Sequence, residues 1–122
     1  MKTNSQELVN RLRSGKMSLD QIRPYLHDAA AIVRVNAIEA MAAQSQSNEE
    51  VLLELLEVIV EPANSIRLMG TISVAHVGIA SILRCSCEAA KQAVKRLVSD
   101  WPEPDRDDLL WYLESVGVEQ TE

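Results

Sequence analysis

With 122 residues, the chain is long enough for one compact domain that buries about two-thirds of its unfolded surface. Its net charge of −6 and pI near 4.9 argue against nucleic-acid binding, which depends on clustered Lys and Arg to neutralise phosphates. Aromatic residues make up only 3% and Phe is absent, so the core must be aliphatic, and the many Ala, Leu and Glu residues favour helix.

Start and stop signals divide the chain into seven predicted helices. Capping-box spacing occurs at three pairs, which are Asn4 and Glu7, Ser18 and Gln21, and Ser47 and Glu50. Further N-cap candidates are Asn64 or Ser65, Ser86 and Asp105, and Gly15 and Gly117 stand where a helix would end. The predicted helices span 5–14, 18–27, 30–44, 48–60, 65–83, 87–99 and 105–116.

Apolar spacing supports these helices and singles out the fifth. The helix at 48–60 carries an apolar stripe at i, i+3, i+4, i+7 and i+8, formed by Val51, Leu52, Leu55, Leu56 and Ile59. The helix at 65–83 is apolar nearly all round, which predicts that both flanks are covered. Its glycines, Gly70 and Gly78, are interpreted as close-packing sites within it. Pro24 is expected to kink or shorten the helix at 18–27.

The sequence indicates a cytoplasmic protein. Residues 1–10 are polar and contain no apolar signal segment. The most apolar stretch, 66–83, includes Arg67 and His76, so it is interpreted as a buried helix rather than a membrane span. Cys85 and Cys87 are too close for an easy mutual disulfide on regular backbone, and their use suits a reducing compartment.

A motif recurs three times along the chain. An apolar residue is followed after two positions by an acid, and after six more by an arginine. The copies are Leu26, Asp28, Arg34, then Ile59, Glu61, Arg67, then Val98, Asp100, Arg106, at intervals of 33 (59 − 26) and 39 (98 − 59) residues. Self-similarity at this period is typical of stacked helical hairpins. Pairing the helices gives three hairpins, about 17–44, 47–83 and 86–117, in a single domain, 1–122.

The pattern resembles the HEAT-repeat family, and within it the short repeats of phycobilisome-lyase-like HEAT proteins. The segments "LHDAAAIVRVNAIEAM" and "IVEPANSIRLMGTISV" carry the resemblance, and the third copy is weaker, with Lys91 and Asp105 at apolar positions. The resemblance implies an all-α fold, a right-handed α-solenoid of about three hairpins plus an N-terminal helix. It also implies a ladder of contacts between adjacent repeats, made by Asp28, Arg34, Glu61, Arg67, Asp100 and Arg106.

The residues suggest no catalytic or metal-binding constellation. His76, Cys85 and Cys87 form the only metal-like grouping, and three ligands are too few for a closed structural zinc site. His76 is instead interpreted as a satisfied core or groove histidine. The acidic residues between 100 and 108 lack the ligand order of a calcium loop. There is no glycine-rich phosphate loop and no nucleophile elbow.

A thiol role for Cys85 or Cys87 stays open. A cysteine near the start of a helix would have a lowered pKa, and the resemblance implies a link to linear tetrapyrroles. The other interpretation is that both cysteines pack at a hairpin junction.

The favoured function is a non-enzymatic adaptor or regulator that binds a protein partner and needs no cofactor, because solenoids usually bind proteins through an extended surface. Candidate contact residues are Glu39, Thr71, Arg84, Trp111 and Tyr112. The alternative, implied by the resemblance alone, is a bilin lyase-like or bilin-chaperone protein. One exposed end of so short a stack could also form a homodimer.

Overall fold

Seven α-helices and one small β-hairpin make up residues 5–118, the part of the chain that the computed structural model describes. In chain order the elements are α1 (Ser5–Arg13), α2 (Leu19–Ile22), α3 (Ala31–Gln44), α4 (Glu49–Ile59), β1 (Arg67–Met69), β2 (Ile72–Ser73), α5 (Val74–Leu83), α6 (Glu88–Ser99) and α7 (Glu103–Ser115). Short 3₁₀ helices at Arg23–His27 and Pro62–Ser65 precede α3 and β1. The prediction of a mainly helical protein is confirmed, with a two-stranded sheet added.

Helix α5 lies at the centre of the packing. It contacts α3, α4, α6 and α7, while α1 and the first 3₁₀ helix pack on α3, and α4 packs on α6. Nine of its ten residues are buried, as expected for a segment covered on both flanks. The core is aliphatic, and its largest fully buried members include Ile22, Leu26, Ile38, Met41, Leu52, Leu55, Ile59, Ile79 and Ile82.

The prediction of one continuous helix over 65–83 is wrong in its first half. Residues Arg67–Met69 and Ile72–Ser73 form an antiparallel hairpin, and Gly70 in its turn has φ +53°. A left-handed φ suits glycine and interrupts a helix, so the interpretation of Gly70 as a helical packing site is also wrong.

The start of α5 explains why its predicted N-cap was misplaced. The Ser73 side chain accepts a hydrogen bond from the His76 amide, and the His76 ring accepts one from the Ser73 amide. This is a capping box with histidine in place of the usual Glu or Gln, so the motif was not recognised. Neither Asn64 nor Ser65 begins the helix.

Gly78 does serve as a close-packing site. A Cβ at this position would lie 2.7 Å from Cγ1 and 2.9 Å from Cδ1 of Ile59, so α4 and α5 approach closely there. The interpretation of Gly78 is confirmed.

Other helix ends follow the predictions with small shifts. The Ser18 and Gln21 capping box is present, and the helix becomes 3₁₀ at the residue before Pro24, as a shortened helix requires. Asn48 rather than Ser47 caps α4. Cys87 rather than Ser86 precedes α6, and α7 begins at Glu103, two residues before Asp105. The predicted cap at Asn4 lies outside the described residues.

Among residues 5–118, none of the helices has the length and apolar composition needed to cross a membrane.

Candidate functional site

Three of the predicted contact residues lie near one another although they come from different hairpins. Glu39 on α3 and Arg84 at the end of α5 line the same depression of about 130 Å³. Both residues influence the ionisation of Tyr112 on α7. Together with Thr71 and Trp111, these residues define what we call the α3–α5–α7 surface.

The β-hairpin adds a wall to this surface. Thr71, Trp111 and Tyr112 line a cleft of about 600 Å³ between the hairpin turn and α7, with Gly70, Ile72 and Ser115 as the remaining lining. Trp111 is 61% exposed, the most exposed of the large apolar side chains in the described region. Tyr112 links this cleft to the charged group of Glu39 and Arg84. Thr71, Trp111 and Tyr112 thus line the cleft, and Glu39 and Arg84 line the depression.

Partial burial shapes the electrostatics of this region. Burial raises the pKa of the Glu39 carboxyl group, and the nearby Arg13 and Arg84 oppose that shift. Burial also raises the pKa of the Tyr112 phenol, Glu39 raises it further, and Arg84 opposes. An incoming hydrogen-bond donor or cation would therefore favour the ionised form of Glu39.

Arg34 connects the first hairpin to the second. It is buried, with an exposed fraction of 8%, and its Nε donates to Asn64 Oδ1 at 2.9 Å. Its Nη2 donates to the Ala63 carbonyl at 2.9 Å, and its Nη1 donates to the Asp28 carbonyl at 2.9 Å. Asn64 is buried too, and its amide donates to the Val58 carbonyl at 2.7 Å. The guanidinium thus joins the turn before α3 to the turn after α4.

The acids of the motif make different contacts from its arginines. The Asp28 carboxylate accepts a hydrogen bond from the Ala30 amide at 2.9 Å, and Glu61 lies 3.2 Å from His27 Nε2. At this junction the acceptors for Arg34 are main-chain carbonyls and the Asn64 side chain, and sequence reasoning missed only Asn64. The sequence indicates Asn64 only as a possible N-cap residue of a helix.

The second copy of the motif matches the first in sequence spacing but not in structure. Arg34 and Arg106 are each the fourth residue of a helix, whereas Arg67 lies in β1, ahead of α5. Arg67 is exposed; it donates to the Thr71 carbonyl and pairs with Asp105 at 3.2 Å. It still joins the second hairpin to the third. Asp100, at the end of α6, is exposed.

Arg106 differs from both other arginines. Its Nε is buried, and no hydrogen-bond partner for it exists among residues 5–118. It lines a groove between α6 and α7.

His76 is a satisfied core histidine, as predicted. Its Nδ1 accepts from the Ser73 amide at 2.9 Å, so the proton sits on Nε2, which donates to the Asp105 carbonyl at 3.0 Å. Trp101 packs edge-on, with ring centroids 5.7 Å apart. The hydrogen bond from His76 therefore connects α5 to the first turn of α7.

The two cysteines are free thiols and both are buried. Burial raises the pKa of Cys85, so the expectation of a lowered pKa is wrong for this residue; it lies ahead of α6, among apolar neighbours. Its Sγ contacts the carbonyls of Ala42 and Ser81, each at 3.4 Å. Cys85 lies nine positions after His76 along a largely helical segment, roughly 13 Å along a helix. No group of three His, Cys, Asp or Glu residues able to hold a metal ion occurs in the described range.

No known protein family, no curated protein and no solved structure matches this chain. Function must therefore be argued from the surface itself.

Proposed function

We propose that the protein is a small HEAT-like helical-repeat adaptor or regulator that binds a protein partner through the α3–α5–α7 surface and has no catalytic activity of its own. The proposal rests on the exposed Trp111, which lines a cleft with Thr71 and Tyr112, and on Glu39 and Arg84, which line a depression between α3 and the end of α5. Exposed Trp, Tyr and Arg are the residues that most often dominate binding energy at protein interfaces.

The contacts between hairpins support a stacked arrangement of hairpins at about 17–44, 47–83 and 86–117, as in an α-solenoid; its right-handedness stays a prediction from the family resemblance. The second helices α3, α5 and α7 are consecutive neighbours, and the first helices α4 and α6 contact each other. Arg23 adds a two-pronged contact to Glu54, with both N–O distances 2.9 Å, between the first helices of the first two hairpins. In a solenoid each hairpin touches only its neighbours and the second helices share one extended surface.

The chemistry of the site supports a mixed contact with the partner. The cleft beside Trp111 is mainly apolar, whereas the depression beside it carries Glu39 and Arg84. A partner segment that inserts an apolar side chain next to Trp111 and offers polar groups to Glu39 and Arg84 would satisfy both parts. The two free, buried thiols fit a reducing compartment such as the cytoplasm.

Affinity capture from cells that make the protein, followed by mass spectrometry, tests this function. A specific partner should be retained by the wild type and depleted at least about tenfold by Trp111→Ala, the loss expected at a binding hot spot. Arg84→Glu should weaken capture as well. Val60→Ala is the matched control, because Val60 is 43% exposed and follows α4, a helix that contributes no residue to this surface.

Equal capture by the wild type and both surface variants would contradict the proposed site. Equal loss in Val60→Ala would show nonspecific adhesion rather than recognition. Circular dichroism of each variant establishes that the helices are intact.

Handling of linear tetrapyrroles stays a prediction that rests on the family resemblance. The buried thiol of Cys85, with its raised pKa, gives that alternative no support. Mixing the protein with a linear tetrapyrrole and recording the visible spectrum tests it, and an unchanged spectrum would count against it.

A further inference from the structure

The end of the molecule formed by α6 and α7 carries an open apolar groove. Its volume is about 310 Å³, and its apolar lining comes from Leu83, Val94, Val98, Leu109, Leu110 and Leu113. Leu110 is 46% exposed beside it. At the corresponding junctions inside the molecule, α4 covers part of α3, and α6 covers part of α4 and α5. Nothing in residues 5–118 covers this last face in the same way.

At this end of the molecule, Arg106 lacks the hydrogen-bond acceptor that Arg34 has. It occupies the same position in α7 that Arg34 occupies in α3, since each is the fourth residue of its helix. Arg34 Nε meets Asn64 Oδ1 in the turn after the next hairpin's first helix. Arg106 Nε is buried without a partner in the described chain. A buried donor without an acceptor is destabilising, so an acceptor from another molecule would be stabilising here.

The two helices carry opposite charges on the side that faces outward from the groove. On α6, Lys91 and Lys95 lie four residues apart, and Lys95 lines the groove. On α7, Asp107 and Glu114 flank Leu110 at positions i−3 and i+4, and both are exposed. Residues at this spacing share one face of a helix. The face thus carries two lysines along α6, preceded by Glu88 in its first turn, and two acids along α7 together with the groove-lining Arg106, with apolar residues between the helices.

We infer that the α6–α7 face pairs with the same face of a second copy of this chain, about a twofold axis parallel to the two helices, so that α6 of each copy lies over α7 of the other. In this dimer Lys95 of one copy lies near Asp107 of its mate, and the pair occurs twice. The other twofold arrangement, with each helix over its own counterpart, sets lysines against lysines and acids against acids. Charge therefore selects the crossed arrangement.

The same twofold arrangement also brings hydrogen-bond acceptors of the second copy close to Arg106. Because it runs parallel to the helices, it brings the 100–102 turns of both copies to the same end of the interface. Arg106 then faces the turn after a first helix, as Arg34 faces Ala63 and Asn64. Leu110 of each copy enters the groove of the other, which makes the surface self-complementary, as a twofold interface requires. This surface is distinct from the α3–α5–α7 surface and does not depend on the function proposed for it.

Analytical ultracentrifugation of the purified wild type over about 1–200 µM gives the first test. The expected mass is twice 13.5 kDa, and Leu110→Asp should return it to 13.5 kDa by placing a carboxylate in the groove. Trp111→Ala is the matched control, since Trp111 is adjacent in sequence but lines the other cleft. A wild type of 13.5 kDa at every concentration, a Leu110→Asp variant that still dimerises, or growth into open filaments would overturn the inference.

Two charge-reversal variants test the crossed arrangement of the dimer without changing a core residue. Lys95→Glu and Asp107→Lys should each weaken self-association about tenfold, because each homodimer then has two like-charged contacts. An equimolar mixture of the two variants should dimerise within about threefold of the wild-type Kd, since both contacts become opposite again in the mixed dimer. A mixture no tighter than the separate variants would overturn the crossed arrangement. So would a chain that stays monomeric alone and accepts only a helix of another protein in this groove.

Discussion

At the residue scale, Arg34 and Arg67 show that one sequence motif can have two different energetic roles. Arg34 is buried and donates to three main-chain carbonyls and the Asn64 side chain, so its removal leaves several acceptors without a donor. Arg67 is exposed and pairs with Asp105, which is itself partly exposed. Exposed ion pairs contribute little because water and salt screen them.

Replacing each arginine by alanine should separate these roles. Arg34→Ala is expected to lower the free energy of unfolding by about 3 kcal/mol, since hydrogen bonds to charged groups contribute about 1.5–3 kcal/mol each and buried acceptors are left unpaired. Arg67→Ala should cost about 0–1 kcal/mol. Urea denaturation with unchanged m-values measures both. Equal losses in the two variants would show that Arg34 is not the stronger connection between hairpins.

The sequence predicts the role of Arg34 as a contact between hairpins better than it predicts the acceptors of its hydrogen bonds. An arginine at this position suggested a contact between repeats through the family resemblance, but the acceptors are carbonyls and an asparagine that no spacing rule singles out. Likewise composition could not show that the residues around Arg67 form no helix, because the residues from 66 to 83 are largely apolar both in the β-hairpin and in α5.

At the element scale, the contact between α4 and α5 depends on the absence of a side chain at Gly78. The nearest Ile59 atom to a Cβ there would be 2.7 Å away, and Ile59 is fully buried in the core. In an unconstrained helix the change from glycine to alanine would be favourable by about 1 kcal/mol. Here the steric effect opposes that gain.

Gly78→Ala should therefore lower the free energy of unfolding by about 1–2 kcal/mol, because overpacking costs about 1–3 kcal/mol. In an Ile59→Ala background the same change should become neutral or stabilising, since the clashing atoms are gone. A double-mutant cycle in urea measures this coupling. If Gly78→Ala stabilises the wild-type background, the two helices are less tightly packed than the distances indicate.

The sequence predicts that the helices exist. It predicts where they begin and end less well, because each end depends on an individual capping residue. Ser18 with Gln21 followed the usual capping-box pattern and was found. Ser73 and His76 make the same reciprocal contacts. The sequence pattern does not predict this capping box, because histidine is not the expected residue at the third helical position.

At the scale of the whole molecule, α5 ties the three hairpins together. It packs against helices of both other hairpins, and His76 connects it to the start of α7. Removing the first or the last hairpin would expose one side of this largely apolar helix, so the chain should unfold as one cooperative unit.

The tryptophans offer a direct test of this cooperativity. Both Trp101 and Trp111 lie in the last hairpin, whereas far-UV circular dichroism reports on every helix. The two urea transitions should coincide at the same protein concentration, because the last hairpin cannot separate without exposing α5. A fluorescence midpoint clearly below the dichroism midpoint would mean that the last hairpin melts first.

The β-hairpin has a consequence for how this protein could acquire new partners. It lies between the two helices of the middle hairpin, yet its turn forms a wall of the cleft beside Trp111, and Thr71 in that turn is exposed. The helices are held together instead by α5, by His76 and by Arg34. Substitutions in the turn could therefore alter which ligand fits the cleft while the helical framework persists, much as loops of a stable framework diversify recognition. The turn of the β-hairpin is thus a natural position for exchanging specificity.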